Sequence, residues 1–250
     1  LLSVINFTKT PMGFRLLSKW LDQPLVEIEK IKIRQDLVET LIFNSQLRND
    51  LEEELSNISD IERINSKISF GNCNARDLIH LKNSLSAAPK IKTLFLNGNS
   101  LFSSLALKIP DTTYIYNLID SSIQEDVGIL LKEGNLIKIG YDEELDKIRN
   151  SKIQGKEKLI KYEVEQKINT GIKNLRLIYN KKTGYFFEVT KSYQSLVPEY
   201  FELKQTLTNA NRYKTDELTN IEIMIFGSES VIIEKEYEIF ISIRNTIKMN

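Results

Sequence analysis

One histidine, one cysteine and one tryptophan in 250 residues leave little to build an active site from. Without a second histidine or a cluster of cysteines there is no metal site at any usual ligand spacing. His80 stands alone in a helical stretch and reads as an ordinary helix residue. A single cysteine excludes a disulfide framework, so Cys73 is expected to be a reduced residue of an intracellular protein. The patterns G-x-x-x-x-G-K-[ST], G-x-G-x-x-G and G-x-S-x-G are all absent, which leaves phosphate-loop, dinucleotide and hydrolase readings without their key residues. No apolar run reaches membrane-spanning length, and the start, Leu1-Leu2-Ser3-Val4, lacks a basic leader region. A soluble, cytoplasmic chain with no membrane partner is expected. Glycine and proline are scarce too, ten and five residues, beside 27% charged and 41% apolar residues. That balance fits long, solvent-exposed helices better than a compact α/β enzyme. The chain begins without Met and ends at Ile247-Lys248-Met249-Asn250, which suggests a segment of something longer.

What is present is mostly helical periodicity. After the turn Thr10-Pro11-Met12-Gly13, the residues Phe14, Leu17, Trp20 and Leu21 recur at helical spacing until Pro24. A second helix is predicted from about Leu25 to Phe43, a third on Leu47, Leu51, Leu55 and Ile58, and a fourth through Ile64 and Ile68. Another begins at Asn74 or Ala75 and is expected to halt near Pro89, with two or three shorter helices between Lys90 and Asp126. Gly134 to Gly140 reads as a short extended piece. Asp142 offers an N-cap for a charged helix reaching about Asn169, an arm of roughly 40 Å at about 1.5 Å per residue. Its thin seam is Leu145, Ile148, Leu159, Tyr162 and Val164. Thr215 caps a returning helix with the seam Leu218, Ile221, Ile225 and Ile232, and two such seams can bury each other. The acidic runs Asp50 to Glu54 and Asp142 to Glu144 read as solvated helix faces and helix starts rather than cation sites.

Between the two long helices, Lys173 to Tyr213 breaks the pattern. Leu175, Leu177 and Tyr179 alternate with Arg176, Ile178 and Asn180; a turn at Lys181-Lys182-Thr183-Gly184 follows; then Tyr185, Phe187 and Val189 alternate with Phe186, Glu188 and Thr190. This is a β-hairpin pattern. A third extended run, Lys204 to Thr208, implies a small antiparallel sheet of three or four strands. The fold class is therefore mainly α: a helical bundle body, a long two-helix arm and a small antiparallel β tip.

Charge is local as well. From Thr170 to Thr215 eight basic residues face three acidic ones, an excess of five in a chain whose net charge is zero. Lysine and arginine interleaved with Thr, Ser and Asn are what sequence-independent phosphate contact requires. The same lysines on the exposed edges of a small sheet would discourage strand pairing, so composition alone leaves both readings open. Tyr185, Phe186 and Phe187 read as the sheet's own core.

The chain resembles the MutS family of DNA mismatch repair proteins. The matching runs are Thr10 to Leu17 with Trp20-Leu21, Asp60-Ile61-Glu62-Arg63, Ala75-Arg76-Asp77-Leu78, Gly140 to Asp146, Gly184 to Lys191 and Lys204 to Tyr213, in the family's order. The resemblance implies a core and lever domain (1–169), an inserted clamp domain (170–214) and a returning lever helix (215–250). It implies that the clamp contacts the backbone of duplex DNA, and it nominates Lys181, Lys182, Lys191, Lys204, Thr206, Thr208, Asn209 and Arg212 for that contact. In the full-length parent it implies a homodimer, a MutL-type repair partner, and ATP and Mg on an ATPase domain; this chain needs no cofactor and is not expected to be catalytic itself. The family's mismatch-reading Phe-x-Glu motif belongs to an N-terminal domain that this chain does not contain. Phe186-Phe187-Glu188 matches only its spacing. Asn211 stands where many relatives carry Glu. The alternatives are a helical scaffold whose β tip binds a protein partner, and a MutS relative acting in recombination.

Overall fold

The computed structural model describes residues 1–128 and 130–250. The elements run α1 (Leu2–Ile5), α2 (Pro11–Asp22), α3 (Ile28–Phe43), α4 (Ser45–Ser56), α5 (Ile61–Phe70), α6 (Ala75–Leu96), α7 (Ser100–Ala106), α8 (Thr113–Ser122), α9 (Glu143–Thr170), β1 (Arg176–Asn180), β2 (Gly184–Thr190), β3 (Glu202–Thr206), β4 (Ala210–Lys214) and α10 (Asp216–Met249). The mainly helical fold with one small antiparallel sheet is as the periodicity predicts. Contacts divide the chain into two units, Leu1–Tyr141 with Tyr237–Asn250, and Asp142–Glu236.

In the first unit, helix starts fall where capping side chains stand. The Thr10 hydroxyl accepts from the Gly13 amide at 3.0 Å, with Pro11 opening α2. Asp60 accepts from the Arg63 amide at 3.1 Å. Asn74 and Asp77 form a reciprocal capping box. Two of the family-like runs meet here: the Arg15 guanidinium donates to Asp60 and Glu62 at 2.6 to 3.0 Å. That contact holds the Asp60 carboxyl below its usual range. A core of Leu47, Leu51, Ala87, Ile91 and Phe102 joins α4, α6 and α7.

Helix α6 does not halt near Pro89 but runs through it to Leu96. Proline has no amide to offer the carbonyl of Leu85, and the Thr112 hydroxyl donates to that carbonyl instead, at 3.4 Å. The glycine-bounded piece after α8 is extended only around Ile137, with Asn135 left-handed at φ +58° and residues 139–140 in a turn. Ile137 bridges Ile123, and the Lys138 amide donates to the Ser122 carbonyl at 2.8 Å.

Lys82 is buried in this unit and ion-paired with Glu125 and with Asp120, the latter at 3.1 Å. Burial acts to lower its pKa, yet the hydrogen bonds to Glu125 and Asp120 outweigh it and raise the value. The same bonds hold Asp120 and Glu125 below their ordinary values of 3.8 and 4.5. A carboxylate whose folded pKa is depressed contributes stability above its unfolded pKa and loses it as pH falls through the folded value. Acidification below those ordinary values is therefore expected to destabilise this unit. Thermal melts across that window should show a shallower acid loss in Lys82→Met than in the parent sequence; equal slopes would assign the loss to other carboxylates.

In the second unit α9 and α10 run antiparallel, because their ion pairs descend one helix as they climb the other: Lys158–Glu217, Lys152–Glu229 and Arg149–Glu236. The helices approach closely at Gly155, where a Cβ would lie 2.9 Å from Cγ1 of Ile225. The predicted seam holds at Leu145, Leu159, Leu218, Ile221 and Ile225, all buried, but not at Val164, which is 52% exposed. Gln166 is buried instead, its amide oxygen accepting from the Tyr200 hydroxyl at 2.8 Å.

The sheet order is β1-β2-β4-β3, antiparallel throughout. The third extended run lies two residues earlier than predicted. Leu207 to Asn209 form the turn into β4, closed by the Leu207 amide on the Ala210 carbonyl at 2.9 Å. One sheet face packs Phe187, Val189 and Tyr213 with Leu159, Ile172, Leu175, Leu218 and Ile221. Thr215 caps α10 as predicted, accepting from the Leu218 amide at 3.1 Å.

Candidate nucleic-acid interface

Side chains on a strand alternate between faces, so packing Phe187 and Val189 inward sends Phe186, Glu188 and Thr190 to the other face of β2. On neighbouring β4, Glu188 sits directly across from Arg212, and Phe187 across from Tyr213. Arg212 Nε donates to Glu188 at 3.1 Å and its Nη1 donates to Gln205 at 3.0 Å. Lys214, two residues on and therefore on the same face, lies over the Phe186 ring with Nζ 5.6 Å from the centroid and pairs with Glu222 of α10.

Strand β3 departs from regular pairing: Leu203 opposes Tyr213 while Gln205 opposes Arg212, which makes Lys204 an extra residue in a bulge. A bulge breaks the alternation, so that Lys204 and Gln205 both line the same cleft. That cleft, of about 710 Å³, is bounded by Lys182, Thr183, Lys204, Gln205, Lys214 and the Phe186 ring. Its opposite wall is the β1–β2 turn. There the Lys182 amide donates to the Asn180 side chain at 2.9 Å, and Gly184 follows with φ +83°.

The eight residues nominated from sequence thus fall into three places. Lys181 and Lys182 are exposed on the β1–β2 turn, and Lys204 shares the cleft with Lys182. Arg212 lies mid-sheet, engaged by Glu188 and Gln205. Lys191, Thr206, Thr208 and Asn209 are exposed at the other end of the sheet, where the Lys191 amide donates to the Asn209 carbonyl at 3.2 Å. Lys204 pairs with Glu202 at 2.6 Å, whereas Lys181, Lys182 and Lys191 form no ion pair among the described residues. Lys214 was not nominated. Its signal was the two-residue spacing from Arg212, which places both cations on one face.

Elsewhere the molecule offers little chemistry. Cys73 is buried, and burial pushes its thiol up to about 12, away from nucleophilic use. His80 is exposed on α6. Among the described residues no three His, Cys, Asp or Glu side chains come together as metal ligands would, and no helix is long and apolar enough to cross a membrane.

The second unit is thus a small antiparallel sheet with exposed lysines, carried on two antiparallel helices. Residues 1–250 match the family described as MutS domain III, and the chain belongs to that family. It is 46% identical over 249 residues to the DNA mismatch repair protein MutS of Caldicellulosiruptor bescii, covering 99% of this chain and 29% of that protein. Against the DNA mismatch repair protein MutS of Finegoldia magna identity is 44% over 250 residues, again 29% of the relative. The chain spans under a third of the length of these relatives.

Proposed function

We propose that the sheet domain, residues 170–214, is a clamp that contacts the phosphate backbone of duplex DNA without reading sequence, as part of a mismatch repair protein of the MutS type. The observation that carries this reading is the placement of Lys181, Lys182 and Lys191. All three are exposed at strand ends and unpaired with any described carboxylate, with hydroxyl and amide donors of Thr206, Thr208 and Asn209 near the last of them. Such groups neutralise phosphates and fix register but carry no base information. The relatives named for DNA mismatch repair support the substrate class. In the parent protein, α9 and α10 act as a lever linking DNA occupancy to an ATPase that uses ATP and Mg outside this chain. The parent works there as a homodimer with a MutL-type partner.

Fluorescence anisotropy of a labelled homoduplex and a single-mismatch duplex tests the reading. Equal affinity for the two is expected. With three lysine–phosphate contacts, raising salt from about 50 to 200 mM should weaken binding roughly 40-fold. Lys181→Gln/Lys182→Gln/Lys191→Gln should lose most of that dependence. Salt-insensitive binding, or binding that the triple variant retains in full, would favour a protein partner for the same surface.

A further inference from the structure

We propose that the cleft between the β1–β2 turn and the bulged β3 strand is a polyphosphate-binding site, kept partly neutralised by Glu202 and Glu222 until a phosphate group displaces them. It lies at the opposite end of the sheet from Lys191, Thr208 and Asn209 and shares Lys182 with the proposed duplex contact.

Three lysines border one cleft of about 710 Å³, and the polar groups between them are Asn180, Thr183, Gln205 and Thr219. Lysine ammoniums converging from different strands, with amides and hydroxyls filling the gaps, suit a compact multivalent oxyanion. A carboxylate peptide would be better served by the flat fork of an arginine, and Arg212, which reaches the cleft-lining Gln205, is already engaged by it and by Glu188.

The two carboxylates differ in how firmly they hold. Glu202 and Lys204 are 68% and 39% exposed, so their pair is weak and exchangeable. Glu222 and Lys214 are 14% and 17% exposed and are set by α10 and β4. Glu222 thus occupies Lys214 in the absence of ligand, and its carboxylate competes directly with a phosphate for that ammonium. Removing the charge while keeping the shape should free Lys214. A residue needed only for packing would have no such effect.

The test is an amide-resolved NMR titration of the protein with sodium tripolyphosphate. Saturable shifts are expected at Lys182, Thr183 and Gln205. Lys182→Gln, in an exposed turn that tolerates the change, should weaken the apparent affinity about five-fold, and Glu222→Gln should tighten it by a similar factor. A short duplex added as competitor identifies the source of the phosphate. Displacement of tripolyphosphate means that a DNA backbone enters the cleft, and its retention means that a free polyphosphate is the ligand; both uphold the site. Absence of saturable shifts in the parent sequence and in Glu222→Gln, or shifts confined to Lys191, Thr208 and Asn209, would overturn it. Duplex binding by the distal residues would be untouched by that failure.

Discussion

Phe187→Ala is expected to destabilise the sheet-bearing unit by about 3–5 kcal/mol, the cost of removing a fully buried aromatic ring from a core that closes only partly around the void. Phe187 is completely inaccessible, and its ring lies 5.2 Å from that of Phe201 and 5.8 Å from that of Tyr162, so it joins β2 to α9 and to the segment before β3. Hydrogen exchange of the β2 and β4 amides reads the loss locally, without requiring the whole chain to unfold as one. Phe186→Ala is the control. Phe186 is nearly as buried but faces the cleft under the Lys214 ammonium, where water can replace what the ring excluded. A smaller loss is expected there, and equal losses at the two positions would show that the face assignment of β2 is wrong. Because the lysines of the interface ride on this sheet, Phe187→Ala should also weaken duplex binding while leaving every cation in place.

How much of this was legible follows from what periodicity encodes. Alternation in β2 sets Phe186 and Phe187 on opposite faces, so reading both as the sheet's core holds for Phe187 and not for Phe186, whereas the caps at Asp142 and Thr215 mark helix starts because a short polar side chain before an apolar stripe satisfies otherwise orphaned amides. The misses have different origins. Pro89 reads locally as a stop, but the group that relieves its missing hydrogen bond, Thr112, is distant in sequence. Val164 breaks the helical spacing itself: Leu159, Tyr162 and Gln166 follow one another at three and four residues, and Val164, two residues from both Tyr162 and Gln166, falls on the exposed side. In the candidate site, the basic excess located the sheet but could not say which cations were already spent on carboxylates. Glu188 and Glu202 lie within the stretch of basic excess and Glu222 beyond it, and only the strand register brings Glu188 to Arg212. The bulge that turns Lys204 and Gln205 to one side leaves no mark in local composition.

Gly184→Ala is expected to cost about 2–5 kcal/mol, more than a single methyl group normally would. Two terms add. Gly184 opens β2 at φ +83°, a backbone region where an L side chain costs about 1–2 kcal/mol. A Cβ built there would also fall 1.7 Å from Oε1 of Glu222, so the carboxylate has to swing aside and its part-buried ion pair with Lys214 is lost; leaving such a polar group without its partner costs about 1–3 kcal/mol. The two terms separate in a double-mutant cycle measured by chemical denaturation. In a Glu222→Ala background the collision is gone and only the conformational cost of Gly184→Ala remains, so the pair should show a favourable coupling of about 1–3 kcal/mol. Strict additivity would mean that Glu222 does not occupy the space beside Gly184. The coupling matters beyond stability, because the same carboxylate abuts the basic β1–β2 turn at Gly184 and pairs with Lys214. A displaced Glu222 should therefore move both walls of the cleft, changing the amide shifts of Lys182 and Gln205 together rather than those of the turn alone.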